Sequence, residues 1–177
     1  TMNTSDQNVF TLDTAFQRRW QMKLIKNEFI DEENEANFAK TKILDTEVTW
    51  KHFLTSINEI ILSKNIGITS SEDKRLGTHF VSDEDLKYFD NEEKRNSRFP
   101  EKVLKYLWDD VFKFTREDIF DLANTRSLEE VIKKFVTEKK NDRFKVFKEN
   151  IWNTLIEKIV LPNTLLYAKK DAFAIGR

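Results

Sequence analysis

The sequence predicts a mainly α-helical fold, and three observations support that class. The 177 residues include only three Gly and two Pro, too few for the many tight turns of an all-β domain. Charged residues make up 34% of the chain and hydrophobic residues 39%, which suits exposed helices around an apolar core. Apolar residues also recur at helical spacing from about residue 50 onwards.

Residues 1–30 are predicted to form the end of an α/β domain. Leu12 and Phe16 lie four residues apart, with Asp13 near the positive end, as expected for a short helix. Hydrophobicity alternates over Trp20–Ile25 and predicts a strand. One strand is not a sheet, so we expect its partners outside these 177 residues, in a larger gene product.

Residues 31–47 are acidic and polar, and they are predicted to be a linker or a poorly packed segment. Residues 48–177 are predicted to form a helical bundle with a C-terminal extension. An apolar stripe over 50–61 predicts the first long helix, with Trp50 interpreted as a core residue. Further helix starts are predicted at Ser82 with Asp85, Pro100, Thr115 and Ser127 with Glu130, and a last helix from about Asp142 to Ile159.

The composition argues against several kinds of site. A net charge of −1 gives no overall nucleic-acid signature, and the absence of Cys excludes disulfides, thiolate zinc sites and a Cys nucleophile. His52 and His79 do not have the spacing of a metal-binding motif, so no metal site is predicted. Apolar runs such as 60–62 fall far short of the roughly 20 residues of a membrane span. No signal-peptide pattern is visible, and a cytoplasmic location is expected.

The chain also does not contain the motifs that hold a nucleoside triphosphate. There is no GxxxxGK[ST] loop to surround the phosphates with backbone N–H groups and a Lys. No apolar run followed by Asp-Glu supplies a magnesium ligand and a water-activating carboxylate. We therefore expect the 177 residues alone to show no nucleotide hydrolysis.

The first twenty residues nevertheless resemble part of a nucleotide hydrolase. The segment TMNTSDQNVFTLDTAFQRRW is similar to the sensor-one and arginine-finger region of AAA+ ATPases, specifically the McrB-type motor subunits of modification-dependent restriction systems. Their pattern is MNTxDxS…LDxALRRRF, and it is matched by Met2, Asn3, Thr4, Asp6, Leu12, Asp13, Ala15, Arg18 and Arg19. Asn8, Gln17 and Trp20 depart from it, which leaves the subfamily open.

This resemblance implies roles for three residues. Asn3 at a strand end would hydrogen-bond the attacking water or the γ-phosphate. Arg18 or Arg19 would reach the γ-phosphate of a neighbouring subunit and stabilise developing charge, as arginine fingers do. The alternative interpretation is that Asn3 caps a turn and the two arginines are a solvated pair.

A second resemblance covers residues 72–81, EDKRLGTHFV, which are similar to the lid segment of McrB-type proteins. It implies that Arg75 approaches the nucleotide as sensor-two. Gly77 would allow a backbone turn that a side chain forbids. The alternative is that Lys74 and Arg75 are ordinary loop charges.

Residues 133–148 hold seven Lys or Arg and two acidic residues. DNA contact is one interpretation of this excess. A pair of solvated helices is the other, and it is favoured because the charges flank two apolar stripes.

Taken together, the resemblances imply the C-terminal portion of an AAA+ NTPase subunit. The end of its α/β core would cover 1–30, the linker 31–47, and the helical lid with an extension 48–177. The intact protein would form a homo-oligomeric ring, use ATP or GTP with Mg²⁺, and act with a nuclease subunit and possibly DNA, but not a membrane. The alternatives are a MoxR-type chaperone ATPase and a helical interaction module without a nucleotide role.

Overall fold

The computed structural model describes residues 18–19, 21, 23, 26–30, 32–64 and 74–160. The α-helices in this part are α1 (Glu33–Lys40), α2 (Trp50–Lys64), α3 (Asp83–Leu86), α4 (Glu93–Asn96), α5 (Leu128–Thr137) and α6 (Glu149–Val160). Among the described residues there is no strand, only two isolated β-bridges, so the mainly α prediction is confirmed. The short helix predicted around Leu12 to Phe16 lies outside the described residues, and so does most of the predicted strand.

Helix α2 crosses the centre of the core. Its predicted apolar stripe is confirmed, because Trp50, Phe53, Ile57 and Ile61 are all fully buried. The ring of Phe53 lies 5.6 Å from that of Phe99, which comes from a distant part of the sequence. Such edge contacts between aromatic rings add stability beyond the area they bury.

The chain between α4 and α5 contains a wide helical segment over 98–111. It includes the π-helical turns Pro100–Leu104 and Leu107–Val111, and the Phe112 amide donates to the Leu107 carbonyl at 2.9 Å. Pro100 starts the first turn, as predicted. The predicted inner face is buried, and it consists of Leu104, Leu107, Trp108 and Val111.

Two of the predicted capping signals are confirmed. The Ser82 amide donates to Asp85 Oδ2 at 2.9 Å before α3, and the Glu130 amide donates to Ser127 Oγ at 3.2 Å before α5. The Thr115 prediction is wrong, because its side chain makes no cap hydrogen bond and only a short 3₁₀ turn follows at Arg116–Asp118.

The single last helix predicted from Asp142 is divided in two. A 3₁₀ helix covers Lys140–Val146, and α6 begins only at Glu149. Between them Phe147 is extended, bridges to Phe120 and stacks on its ring at 5.5 Å. Burial of this aromatic pair against the core outweighs the helical continuity that the local pattern suggests.

The prediction that residues 31–47 are poorly packed is wrong. The segment contains α1, and beyond it Ile43 and Leu44 are buried in the main core cluster. Its loop is also joined to the distant 3₁₀ helix, because the Glu47 amide donates to Asn141 Oδ1 at 2.9 Å. The domain boundaries themselves stay a prediction.

A buried ion pair completes that junction. Arg143 Nε lies 2.5 Å from Asp45 Oδ1, and the Arg143 side chain is only 2% exposed. Its Nη1 also donates to the carbonyls of Phe135 and Val136, at 2.7 and 2.9 Å, near the end of α5. Partial burial acts to raise the pKa of Asp45, but the hydrogen bonds from Arg143 and the Lys140 amide outweigh it, so the pKa is lowered.

The basic stretch 133–148 is therefore partly internal. Arg143 is buried, Lys134 Nζ donates to the Lys145 carbonyl at 3.0 Å, and Lys145 Nζ lies 3.0 Å from Asp142 Oδ1. These three cations have partners inside the molecule, which weakens the DNA-contact interpretation. In the portion of the chain that the structure describes, no helix has the length and apolarity to cross a bilayer.

Candidate functional site

The segment 74–78, Lys-Arg-Leu-Gly-Thr, carries the predicted lid residues. It approaches the core, where Leu76 is fully buried and Thr78 is 8% exposed. Arg75, between two anchored residues, is half-buried. The backbone around Arg75 is therefore fixed on both sides.

Two asparagine side chains hold the middle of this segment. Asn58 of α2 donates from Nδ2 to the Leu76 carbonyl at 2.9 Å and accepts from the Leu76 amide at 2.8 Å. Asn27 donates to the same carbonyl at 2.8 Å and accepts from the Thr78 amide at 3.1 Å. Each asparagine uses both the N–H and the oxygen of its side-chain amide. The two side chains thus supply the hydrogen bonds that a neighbouring strand would give, to backbone groups that would otherwise be buried without partners.

Two aromatic side chains hold the ends of the segment. Trp50 Nε1 donates to the Thr78 carbonyl at 2.7 Å, and Tyr106 Oη donates to the Lys74 carbonyl at 3.2 Å. We call Asn27, Trp50, Asn58 and Tyr106 the 74–78 clamp. Its members come from three separate parts of the chain. The position of the 74–78 segment therefore depends on how these three parts pack against one another.

Arg75 lines a groove of about 440 Å³ beside α2. Lys51 adds a second cation to the groove, while Glu28 and Glu59 add carboxylates. Leu54, Leu62 and Phe29 supply apolar surface. The mixed charge suits one contact to a phosphate or sugar, but it does not suit enclosure of a whole triphosphate.

The expectation that the turn at Gly77 forbids a side chain is wrong, while its place in a nucleotide-binding segment stays a prediction. The backbone of Gly77 lies outside the left-handed region, and a Cβ built there meets no atom within 4 Å. Glycine is not required for the fold at this position. The open space beside its Cα leaves the backbone accessible.

The predicted finger residues Arg18 and Arg19 lie in a turn, and both are exposed. Exposure is compatible with a group that acts on a neighbouring subunit, and equally with a solvated pair. Asn3 lies outside the described residues. Arg75 and Gly77, two residues apart in sequence, lie in the same described segment.

The two histidines have structural partners. His52 Nε2 lies 3.0 Å from the Leu155 carbonyl, and His79 Nε2 lies 3.2 Å from Glu35 Oε1. The His79 ring also stacks on Phe38 at 6.0 Å. Within the described ranges no group of three or more His, Asp or Glu is placed so that it could hold a metal ion.

Sequence analysis missed the clamp. One signal for it was available, because Trp50, Leu54 and Asn58 share one face of α2 at four-residue spacing. An Asn on an otherwise apolar face needs a partner when it is covered, and here that partner is a backbone segment. Trp50 is buried in the core, as predicted, and its indole N–H also donates a hydrogen bond to the Thr78 carbonyl.

Comparison with known proteins finds a component of a restriction system that is similar to this chain. The chain is 31% identical over 137 residues to the type II restriction enzyme BsuMI component YdiS of Bacillus subtilis (strain 168). The match covers 76% of this chain and 36% of that protein, so the chain spans about a third of the length of this relative. No family model matches the chain. No solved structure matches it significantly.

Proposed function

We propose that this chain is part of a nucleotide-dependent subunit of a restriction system, and that Arg75 contacts the bound nucleotide. The restriction context is supported by the similarity to the BsuMI component over 76% of the chain. The nucleotide role is supported by the resemblance of residues 1–20 and 72–81 to McrB-type ATPases.

The observation that carries the Arg75 role is the clamp. An arginine recognises phosphate best when its backbone is already fixed, because less conformational entropy is lost on binding. Hydrogen bonds from Asn27 and Asn58 fix the backbone at Leu76, the next residue.

The charges that line the groove limit Arg75 to a single contact with the nucleotide. Glu28 and Glu59 share the lining with Arg75 and Lys51, so the net charge there is near zero. Arg75 would supply one charged hydrogen bond from the helical part, while the phosphates and Mg²⁺ are held by a P-loop elsewhere in the assembly. The cofactor of the intact protein would be ATP or GTP with Mg²⁺.

The remaining roles follow from the same resemblance. Asn3 would position the attacking water, and Arg18 or Arg19 would act on the γ-phosphate of the adjacent subunit in a homo-oligomeric ring. A nuclease subunit, and possibly DNA, would be the partners of that ring.

The test compares nucleotide affinity in three forms of the intact protein: unchanged, Arg75→Ala and Lys74→Ala. A charged hydrogen bond contributes about 1.5–3 kcal/mol, so Arg75→Ala should weaken binding about ten-fold to a hundred-fold. Lys74→Ala is the matched control, because it removes the same charge one residue away. Equal and small losses in both variants would show a general charge effect and end the sensor-two role.

A further inference from the structure

The four members of the 74–78 clamp differ in where they come from. Trp50 and Asn58 lie on α2, and Tyr106 lies in the wide helical segment that follows α4. These three members therefore belong to the helical bundle. Asn27 lies instead in the chain before α1.

The three members from the bundle are enough to hold the segment. Asn58 accepts from the Leu76 amide at 2.8 Å and donates to the Leu76 carbonyl at 2.9 Å, so both backbone groups of that buried residue have partners. Trp50 Nε1 and Tyr106 Oη donate to carbonyls at the two ends of the segment, at 2.7 and 3.2 Å. The segment is thus fixed on the bundle without any contribution from Asn27.

The two hydrogen bonds of Asn27 therefore mainly fix its own part of the chain. Its Nδ2 donates to the Leu76 carbonyl at 2.8 Å, and its Oδ1 accepts from the Thr78 amide at 3.1 Å. Among the residues that the structure describes, Asn27 is the first after Arg19 whose side chain hydrogen-bonds to a distant part of the chain. The chain that leads from the predicted finger residues is joined to segment 74–78 at this point.

Asn27 also belongs to the groove that Arg75 lines. Asn27, Glu28 and Phe29 line it from the chain before α1, and the remaining lining residues apart from Arg75 come from α2. A ligand that binds Arg75 restrains the backbone of segment 74–78. Because Asn27 is hydrogen-bonded to that backbone, the restraint extends to its own side of the groove.

We propose that Asn27 is a positioning residue that couples nucleotide binding at Arg75 to the position of residues 26–30. The inference rests on the nucleotide role proposed for Arg75. When Arg75 is occupied, segment 74–78 moves less, and the two hydrogen bonds of Asn27 open less often. Such coupling is reciprocal, so fixing residues 26–30 also favours binding. Occupation of the groove thereby orders the chain that continues to the predicted finger residues.

Hydrogen exchange of the intact protein tests this coupling, with and without a non-hydrolysable analogue of ATP or GTP and Mg²⁺. In the original protein the analogue should slow exchange in peptides that cover 74–78 and in peptides that cover 26–30. Asn27→Ala should keep the first effect and lose the second. Asn27→Leu, which retains a side chain of similar size but makes neither hydrogen bond, should behave in the same way. Asn37→Ala, exposed on α1, is the control and should keep both effects.

A double-mutant cycle supplies the second test, measured as affinity for the same analogue. Because the coupling is reciprocal, Asn27→Ala should weaken binding by the factor by which the analogue slows exchange in 26–30, about five-fold. In an Arg75→Ala background the same change should have no further effect, because the coupling passes through Arg75.

Two results would overturn the coupling and leave the role of Arg75 intact. One is an equal loss of affinity from Asn27→Ala in both backgrounds, and the other is slowed exchange in 26–30 that survives Asn27→Ala. Both would mean that the ligand contacts residues 26–30 directly. If Arg75→Ala itself leaves the affinity unchanged, the proposed function fails, and this inference fails with it.

Discussion

Asn27 and Asn58 donate to one and the same acceptor, the Leu76 carbonyl, at 2.8 and 2.9 Å. The two residues come from different segments, Asn27 from the chain before α1 and Asn58 from α2. Because both side chains donate to this one carbonyl, it links three pieces of the chain: the residues before α1, helix α2 and the 74–78 segment that contains Arg75.

The clamp should contribute measurably to stability. Asn58→Ala removes both hydrogen bonds to Leu76 and leaves that amide without its side-chain partner, which should lower the free energy of unfolding by about 1–3 kcal/mol. Asn37→Ala is the matched control, since Asn37 is exposed on α1, and it should change stability by less than about 0.5 kcal/mol. Chemical denaturation of both variants gives the values. Equal effects would mean that the clamp does not stabilise the fold.

Asp45 and Arg143 should show strong coupling. Asp45→Ala removes the carboxylate from a cation that is 2% exposed, and a charged hydrogen bond of this kind contributes about 1.5–3 kcal/mol. A double-mutant cycle with Arg143→Met measures the pair itself. The exposed pair Lys42–Glu47, at 2.6 Å, is the control and should couple by less than about 1 kcal/mol.

The same pair predicts a dependence on pH. Because the pKa of Asp45 is lowered in the folded state, its contribution is present above the ordinary pKa of 3.8 and is lost as pH falls through the lowered value. Asp45→Asn cannot titrate, so its stability should fall less steeply below about pH 4. Parallel slopes for the two proteins would show that Asp45 does not cause the acid sensitivity.

Gly77→Ala tests whether this position matters for stability or for nucleotide binding. Since a Cβ at this position meets no atom within 4 Å, the melting temperature should stay within about 2 °C of the original protein. Any loss of nucleotide affinity in the stable variant would then report a ligand close to the Gly77 backbone. A large drop in melting temperature would show that the position is sterically restricted after all.

Arg19→Ala in the intact protein should abolish turnover while nucleotide binding stays nearly intact, because arginine fingers contribute about 10³–10⁵ in rate. Mixing it with a subunit that has a disabled P-loop but an intact finger should restore part of the activity if Arg19 acts on the neighbouring site. Arg18→Ala is the comparison that ranks the two residues. Full activity in both variants would leave them as a solvated pair.

The sequence by itself determined the helical class, the stripe of α2 and the caps at Ser82 and Ser127. These features depend on residues three or four apart, so local spacing is enough to predict them. The tertiary structure alone decided the clamp, the Asp45–Arg143 pair and the break before α6. Asn27 and Leu76 are 49 positions apart and Asp45 and Arg143 are 98 apart, and no local pattern carries information over such distances. Phe147 leaves the helix for the same reason, because its partner Phe120 is brought to it only by the folded core.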